Sequence, residues 1–213
     1  GCNGCITKNI TFKGVASHAG GSPEAGKNAL YAATCGLNAV NAIRETFVDS
    51  EHIRFHPIIT EGGAAVNAIP ETAKVESYVR GASFDSIRDY NKKVNLALAG
   101  AAASLGCNVE LDDHPGYFPL NNDANMTEIL TEAMEAVTGT VTRGSWGTGC
   151  TDMGDVSAIM PAIHPHASGS IGTGHGKDYY VADKKAGCLY PAQCLTVAAS
   201  MFLENDAARA KKV

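Results

Sequence analysis

Several things are missing from these 213 residues, and each absence excludes a class of function. No cluster of lysines and arginines occurs and the formal charge is −5, so the chain lacks the basic face of a general nucleic-acid binder. No apolar run approaches the ~20 residues of a membrane span, and the N-terminus has no charged-then-apolar leader pattern. These features predict neither a membrane nor a nucleic-acid partner. Cysteine is present seven times, an odd number scattered through apolar segments, which predicts reduced thiols and a cytoplasmic protein rather than a disulfide framework. Cys2-Asn3-Gly4-Cys5 is a lone CxxC with no second pair, and two incidental thiols outweigh a redox or zinc role. Gly172-Thr173-Gly174 is followed by no GK[ST] and sits in no GxGxxG context, so it is not a phosphate loop. There is no internal repeat and no low-complexity tract.

What is present reads as an alternation of strands and helices. Ile6 to Lys13 places Ile6, Lys8, Ile10 and Phe12 on one side and Thr7, Asn9, Thr11 and Lys13 on the other, the two-residue period of a strand. Apolar residues from Leu30 to Phe47 recur every three or four positions, predicting a helix from about Pro23 with Ser22 as its cap. Strand character returns over 52–60. It returns again over 73–80, where Ala73, Val75, Ser77 and Val79 alternate with Lys74, Glu76, Tyr78 and Arg80. A second helix over 84–105, capped by Ser83 or Asp85 and stopped by Gly106, precedes a short strand over 107–111. This order predicts an α+β fold whose first part, residues 6–115, is a ferredoxin-like βαββαβ domain. Residues 116–213, with 1–5, have helices over 125–137 and 191–203, few strands and long loops, which resembles part of an α/β domain.

Three places carry titratable groups on glycine-rich loops. His18 lies in Gly14-Val15-Ala16-Ser17-His18-Ala19-Gly20-Gly21-Ser22-Pro23, a strand-to-helix corner whose glycines tolerate positive φ. An imidazole held there can donate to a developing negative charge or bind a metal, though a surface histidine on a turn is the simpler reading. Asp152 and Asp155 lie in Thr148-Gly149-Cys150-Thr151-Asp152-Met153-Gly154-Asp155, where either could be a helix cap. His175 lies in Gly172-Thr173-Gly174-His175-Gly176-Lys177-Asp178, and His164-Pro165-His166 adds an HxH pair. Zinc bound by His164, His166 and His175 is conceivable but weakly signalled without an HExxH motif.

Four motifs carry a resemblance to the dinuclear-zinc amidohydrolases of the aminoacylase and carboxypeptidase-G superfamily, and within it to the branch containing the B subunit of p-aminobenzoyl-glutamate hydrolase. They are FKGVASHAGGSPEAGKNAL, GGAAVNAIP, TDMGDVS with the following MPAIHP, and GTGHGKDY, in the matching order and spacing over almost the whole chain. The resemblance implies a ferredoxin-like lid, here 6–115, that pairs as a homodimer, and a C-terminal segment of a zinc-binding catalytic domain. It implies that His18 reaches the active site of the partner protomer to stabilise an oxyanion, that Asn67 binds substrate, that Arg80 grips a substrate carboxylate and that His175 is a metal ligand. The complete enzyme would hold two divalent ions, zinc or else cobalt or manganese, and hydrolyse N-acyl amino acids, dipeptides or aryl-amide conjugates. The superfamily's HxD and Glu-Glu ligand motifs are absent, as no two glutamates are adjacent. This implies a missing N-terminal catalytic half or partner chain, and a chain that by itself is inactive and holds metal weakly. A non-catalytic oligomerisation or regulatory module is the alternative expectation.

Overall fold

A computed structural model describes residues 1–213. The chain forms two compact units, one of Cys2–Leu120 with Trp146–Gly154, the other of Gly1, Asn121–Ser145 and Asp155–Val213. The expected division at 115/116 therefore differs from the observed one: residues 2–5, 116–120 and 146–154 fold with the lid.

In the lid unit, β1 (Gly4–Lys13), β2 (Ser17–His18), α1 (Ala29–Ile43), β3 (Arg54–Phe55), β4 (Ile58–Glu61), β5 (Ala68–Ile69), β6 (Thr72–Gly81), α2 (Phe84–Ser104) and β7 (Asn108–Pro115) follow in order. The main sheet runs β3-β6-β1-β7, with β4 also paired to β6, and its pairs are antiparallel. Because β3 and β4 share one edge, this is the split βαββαβ order predicted from the alternation. Strand 52–60 proves to be two short pieces separated by His56-Pro57, as a proline cannot donate to the ladder. Ile10, Phe12, Ala73, Val75 and Val79 pack against Ala33 and Val40 of α1 and Ile87, Val94 and Leu98 of α2 in one core, leaving the other sheet face open. At 25 cal/mol per Å² of apolar area, each of the valine, leucine, isoleucine and phenylalanine side chains contributes about 1.5–3 kcal/mol.

Two local expectations are corrected. Ser22 does not cap the long helix; Pro23–Ala25 is a separate 3₁₀ turn, and α1 starts at Ala29 with Asn28 accepting from Tyr31 N–H at 3.0 Å. None of Gly14, Gly20 and Gly21 adopts positive φ. Gly14 is required for space instead, because a Cβ there would lie 1.9 Å from the Lys27 carbonyl oxygen.

In the second unit, α3 (Ala124–Thr138) packs against α5 (Tyr190–Ala207) through Ile129, Leu130, Ala133 and Ala198. Asp123 caps α3, and Gly139 ends it in the left-handed conformation at φ 76°. The loop that carries Asp152 and Asp155 runs into a short helix, α4 (Met153–Ile159), of which Met153 and Gly154 belong to the lid unit and the rest to this one. β8 (Ser170–Ile171) and β9 (Tyr180–Val181) make a small hairpin. Lys185–Ala207 is long and apolar enough, by length and composition alone, to cross a membrane, although no unbroken apolar run announces it. Here it is one half of a helix pair, and its last turn is broken by non-helical Glu204, Asn205 and Asp206.

Candidate functional site

His18 is built into a tight frame. Ser17 and His18 pair with Ile69 and Ala68, Ala19 N–H donates to the Asn67 carbonyl at 2.9 Å, and the Ser17 hydroxyl donates to the Ser22 carbonyl. The ring is exposed, and its Nδ1 accepts from the backbone N–H groups of Gly20 and Gly21 at 3.1 and 2.9 Å. A nitrogen that accepts two N–H groups carries no proton, so the neutral ring holds its proton on Nε2, facing solvent. The two glycines thus act through their amides, setting a tautomer suited to donate to an incoming oxyanion. Asn67, also exposed, stands beside this histidine on the loop before β5.

Arg80 is not with them. β1 and β6 pair from Lys13–Thr72 at one end to Cys5–Arg80 at the other, and the His18 corner lies beyond the Thr72 end. Eight residues of strand place Arg80 about 26 Å from that end. It projects on the open sheet face, its guanidinium 5.2 Å from the Tyr78 ring centroid. Arg80 and Thr148 both line a depression of about 500 Å³ on that face. Thr148 belongs to a loop anchored to the start of β1: Trp146 Nε1 donates to Asn3 Oδ1 at 2.8 Å, and Asn3 N–H donates to the Gly147 carbonyl at 3.0 Å. Asn3 is wholly buried and its amide also donates to the His52 carbonyl at 2.8 Å. The middle of the CxxC is therefore the functional part, a structural clamp. Of its thiols, Cys5 neighbours Cys150, whose own thiol is pushed far up by that contact and by burial.

His175 sits at the exposed tip of the β8–β9 hairpin with φ 64°. The His164 and His166 rings stack at 5.7 Å in a loop, not on a strand as HxH pairing would require. No group of three or more His, Cys, Asp or Glu side chains converges in a way that could hold a metal ion. The suggested site from His164, His166 and His175 is therefore not formed, and His175 by itself does not fit the needs of a metal centre. Asp155 lies in the first turn of α4, where a carboxylate complements the helix dipole, and the Thr151 hydroxyl accepts from Met153 N–H at 3.4 Å.

One polar group lies where the alternation put it without comment. Lys8, on the apolar side of β1, is fully buried and donates to Asn91 Oδ1 at 2.8 Å, to Asn95 Oδ1 at 2.6 Å and to Asp113. Both asparagine amides donate to Asp113 Oδ2, at 2.7 and 3.0 Å. Burial holds the Lys8 ammonium below its ordinary value. Burial opposes ionisation of Asp113 too, but donation from Asn95, Lys8 and Asn91 outweighs it and lowers that carboxyl. A charged residue in an otherwise apolar alternation was the available signal.

With this geometry described, comparison with known proteins adds kinship. Residues 2–104 match the peptidase dimerisation domain. The human Xaa-Arg dipeptidase is 32% identical over 178 residues, covering 80% of this chain and 40% of the relative. One component of the Escherichia coli p-aminobenzoyl-glutamate hydrolase is 35% identical over 100 residues, covering 46% of this chain and 22% of the relative. An aminopeptidase from Bacillus cereus shares the fold with a TM-score of 0.65 at 19% identity, over 92% of this chain and 51% of that one. The chain thus spans well under half the length of the curated relatives it matches.

Proposed function

Because residues 2–104 form a peptidase dimerisation domain related to those of dipeptidases and amidohydrolases, we propose that this chain is the dimer-forming lid and C-terminal section of a metal-dependent hydrolase of amide bonds. Its substrates are N-acyl amino acids, dipeptides or aryl-amide conjugates. The observation that carries this reading is the His18 ring, whose Nδ1 is occupied by two backbone amides so that Nε2–H is free to donate. In the reaction, His18 Nε2–H stabilises the oxyanion that forms when the amide carbonyl is attacked. Asn67 orients the amide, and Arg80 holds the carboxylate of the amino-acid part through its planar fork. Metal ions are supplied through ligands other than those this chain brings together, and His175 contributes to that set.

The separation of His18 from Arg80 supports a site shared between protomers, with Arg80 serving its own chain and His18 the partner's. The seam that fits is the β4 edge with α1 beside it. Ile58 and Ile59 are 53% and 44% exposed there, whereas the opposite edge, β7, carries Glu110 and Asp112.

The test is a mixing experiment in a complete hydrolase carrying this lid. His18→Ala and Arg80→Ala homodimers should each be impaired, the former by ~10²–10³-fold in kcat. Arg80→Ala should act mainly on KM, because a carboxylate grip serves ground and transition states alike. Mixed one to one and assayed with substrate well below KM, where both homodimers are slow, the two impaired proteins should regain about a quarter of the wild-type rate, since half of randomly assorted dimers are hybrids and each hybrid keeps one intact shared site. No recovery on mixing would place both residues in one protomer's site and refute the shared arrangement.

A further inference from the structure

The thiols at the start of β1 have no part in the proposed chemistry, yet the fold sorts them. Cys2 bridges to Leu120 and to Gly147, and β1 begins at Gly4, so the chain from Cys2 to Cys5 is extended. Three steps of extended chain span about 10 Å and leave the two side chains on opposite faces, whereas a disulfide needs Cα atoms within ~7 Å. The CxxC therefore cannot close on itself. Cys5 has another partner. Cys150 Sγ donates to the carbonyl of Gly4, the residue before Cys5, at 3.5 Å, and its thiol meets that of Cys5. No disulfide joins the two here.

Each sulfur is held in place. Cys5 N–H donates to the Tyr117 carbonyl at 2.8 Å, Gly116 N–H donates to the Cys5 carbonyl at 3.1 Å, and a Cβ on Gly116 would lie 2.5 Å from the Cys5 sulfur. The loop carrying Cys150 is fastened on both sides. Asn3 holds Trp146 and Gly147 at its start, and at its end a Cβ on Gly154 would lie 1.8 Å from the Phe118 carbonyl oxygen. Cys5 is buried and Cys150 half-buried, so a small reagent reaches Cys150 first.

We propose that Cys5 and Cys150 are a reversible thiol–disulfide pair, which exchanges two electrons with small-molecule disulfides and, when closed, locks the 146–154 loop to β1. The Cys150 thiolate attacks one sulfur of the small disulfide RSSR; that S–S bond breaks, and the departing RS⁻ takes up the proton Cys150 gave to water. The Cys5 thiolate then attacks the Cys150 sulfur, the mixed disulfide breaks and a second RS⁻ leaves, to be protonated in turn. The two protein sulfurs lose two electrons, the small disulfide gains them, and two RSH result. Contact with Cys5 and burial hold the Cys150 thiol far above its ordinary value, against the pull of Arg80. Little thiolate is then present at neutral pH, so the exchange is slow and answers to a sustained redox poise, not to a brief pulse of oxidant. Thr148, in the same loop, lines the depression beside Arg80, so the closed form fixes one wall of that depression.

The test is to equilibrate the 213-residue chain with reduced and oxidised glutathione over a range of ratios, quench with acid, alkylate the remaining thiols in denaturant and map linked peptides by mass spectrometry. A Cys5–Cys150 peptide should grow as the oxidised share rises and vanish on adding dithiothreitol. Cys2→Ser should leave it unchanged, and Cys150→Ser should abolish it. Closing so long a loop restricts the unfolded chain, so the oxidised form should need about 1 M or more additional urea for half-unfolding, read from the emission of Trp146, the one tryptophan. In Cys150→Ser that midpoint should not respond to glutathione. A Cys2–Cys5 or Cys2–Cys150 link would overturn the pairing, as would glutathione carried only on exposed Cys35 and Cys188 while Cys5 and Cys150 are both alkylated. A Cys5–Cys150 link that left the midpoint unchanged or lowered it would also overturn the proposal, because the folded lid would then not hold the two sulfurs ready to join.

Discussion

Lys8 and Asp113 show how a single residue type can decide stability. Replacing one partner of a buried charged pair leaves the other uncompensated and costs about 3–5 kcal/mol, so Asp113→Asn should lower the urea midpoint of the lid sharply. The double replacement Lys8→Met with Asp113→Leu removes both charges and should recover most of that loss. The pH dependence has a definite sign. The folded Asp113 carboxyl lies below its unfolded value, so the folded state binds fewer protons and its stabilisation is complete above about pH 4; it is lost as pH falls through the lower folded value. Lys8, also lowered, acts at the alkaline end in the same sense, adding stability as pH rises toward its unfolded value. Denaturation followed from pH 2 to 7 should therefore show a steeper acid limb in the wild type than in Asp113→Asn. Parallel limbs would show that Asp113 does not carry the acid sensitivity.

At the scale of elements, the His18 corner depends on close backbone approach rather than unusual dihedrals. Val15 and Lys27 exchange two backbone hydrogen bonds of 2.9 Å across it, and Gly14 sits against the Lys27 carbonyl. Gly14→Ala should push that carbonyl away, loosen the pairing of β2 with β5 and displace His18. The expected signature is a large fall in kcat of a complete enzyme alongside a stability loss of about 1–3 kcal/mol, the usual range for overpacking. Asn28→Ala, which removes the cap of α1 without touching the corner, should cost about 1 kcal/mol and leave kcat unchanged. If both variants lower kcat alike, the corner's geometry is not what positions the histidine.

At the scale of the whole molecule, the lid's two edges are unlike. Charged Glu110 and Asp112 on β7 discourage pairing with another sheet, whereas β4 exposes Ile58 and Ile59 and pairs only on its β6 side. Sedimentation of the chain at micromolar concentration should show a dimer. Ile58→Lys together with Ile59→Lys should shift it to monomer, while Glu110→Lys should leave the dimer in place. A monomer under all conditions, or a dimer indifferent to the β4 changes, would remove the β4 seam.

The two-residue period of β1 and β6, the three-and-four spacing of the helices and the Ser83 and Gly106 boundaries were legible from the sequence, because each follows from interactions between near neighbours in the chain. The α+β class and the split βαββαβ order followed with them, since few topologies satisfy that succession of elements. His18, Asn67, Arg80 and His175 could be singled out by type and motif, but their mutual placement could not. That Asn67 neighbours His18 while Arg80 lies at the far end of a ten-residue strand is set by strand register, which joins positions distant in sequence. Tertiary structure alone turned Gly20 and Gly21 from turn formers into donors to His18 Nδ1. It made Asn3 a clamp for Trp146, closed Lys8 into a ring with Asn91, Asn95 and Asp113, and set Arg54 opposite Arg80. In each case the partner lies many residues away, where local propensity carries no information and only the packing of the sheet decides which groups meet.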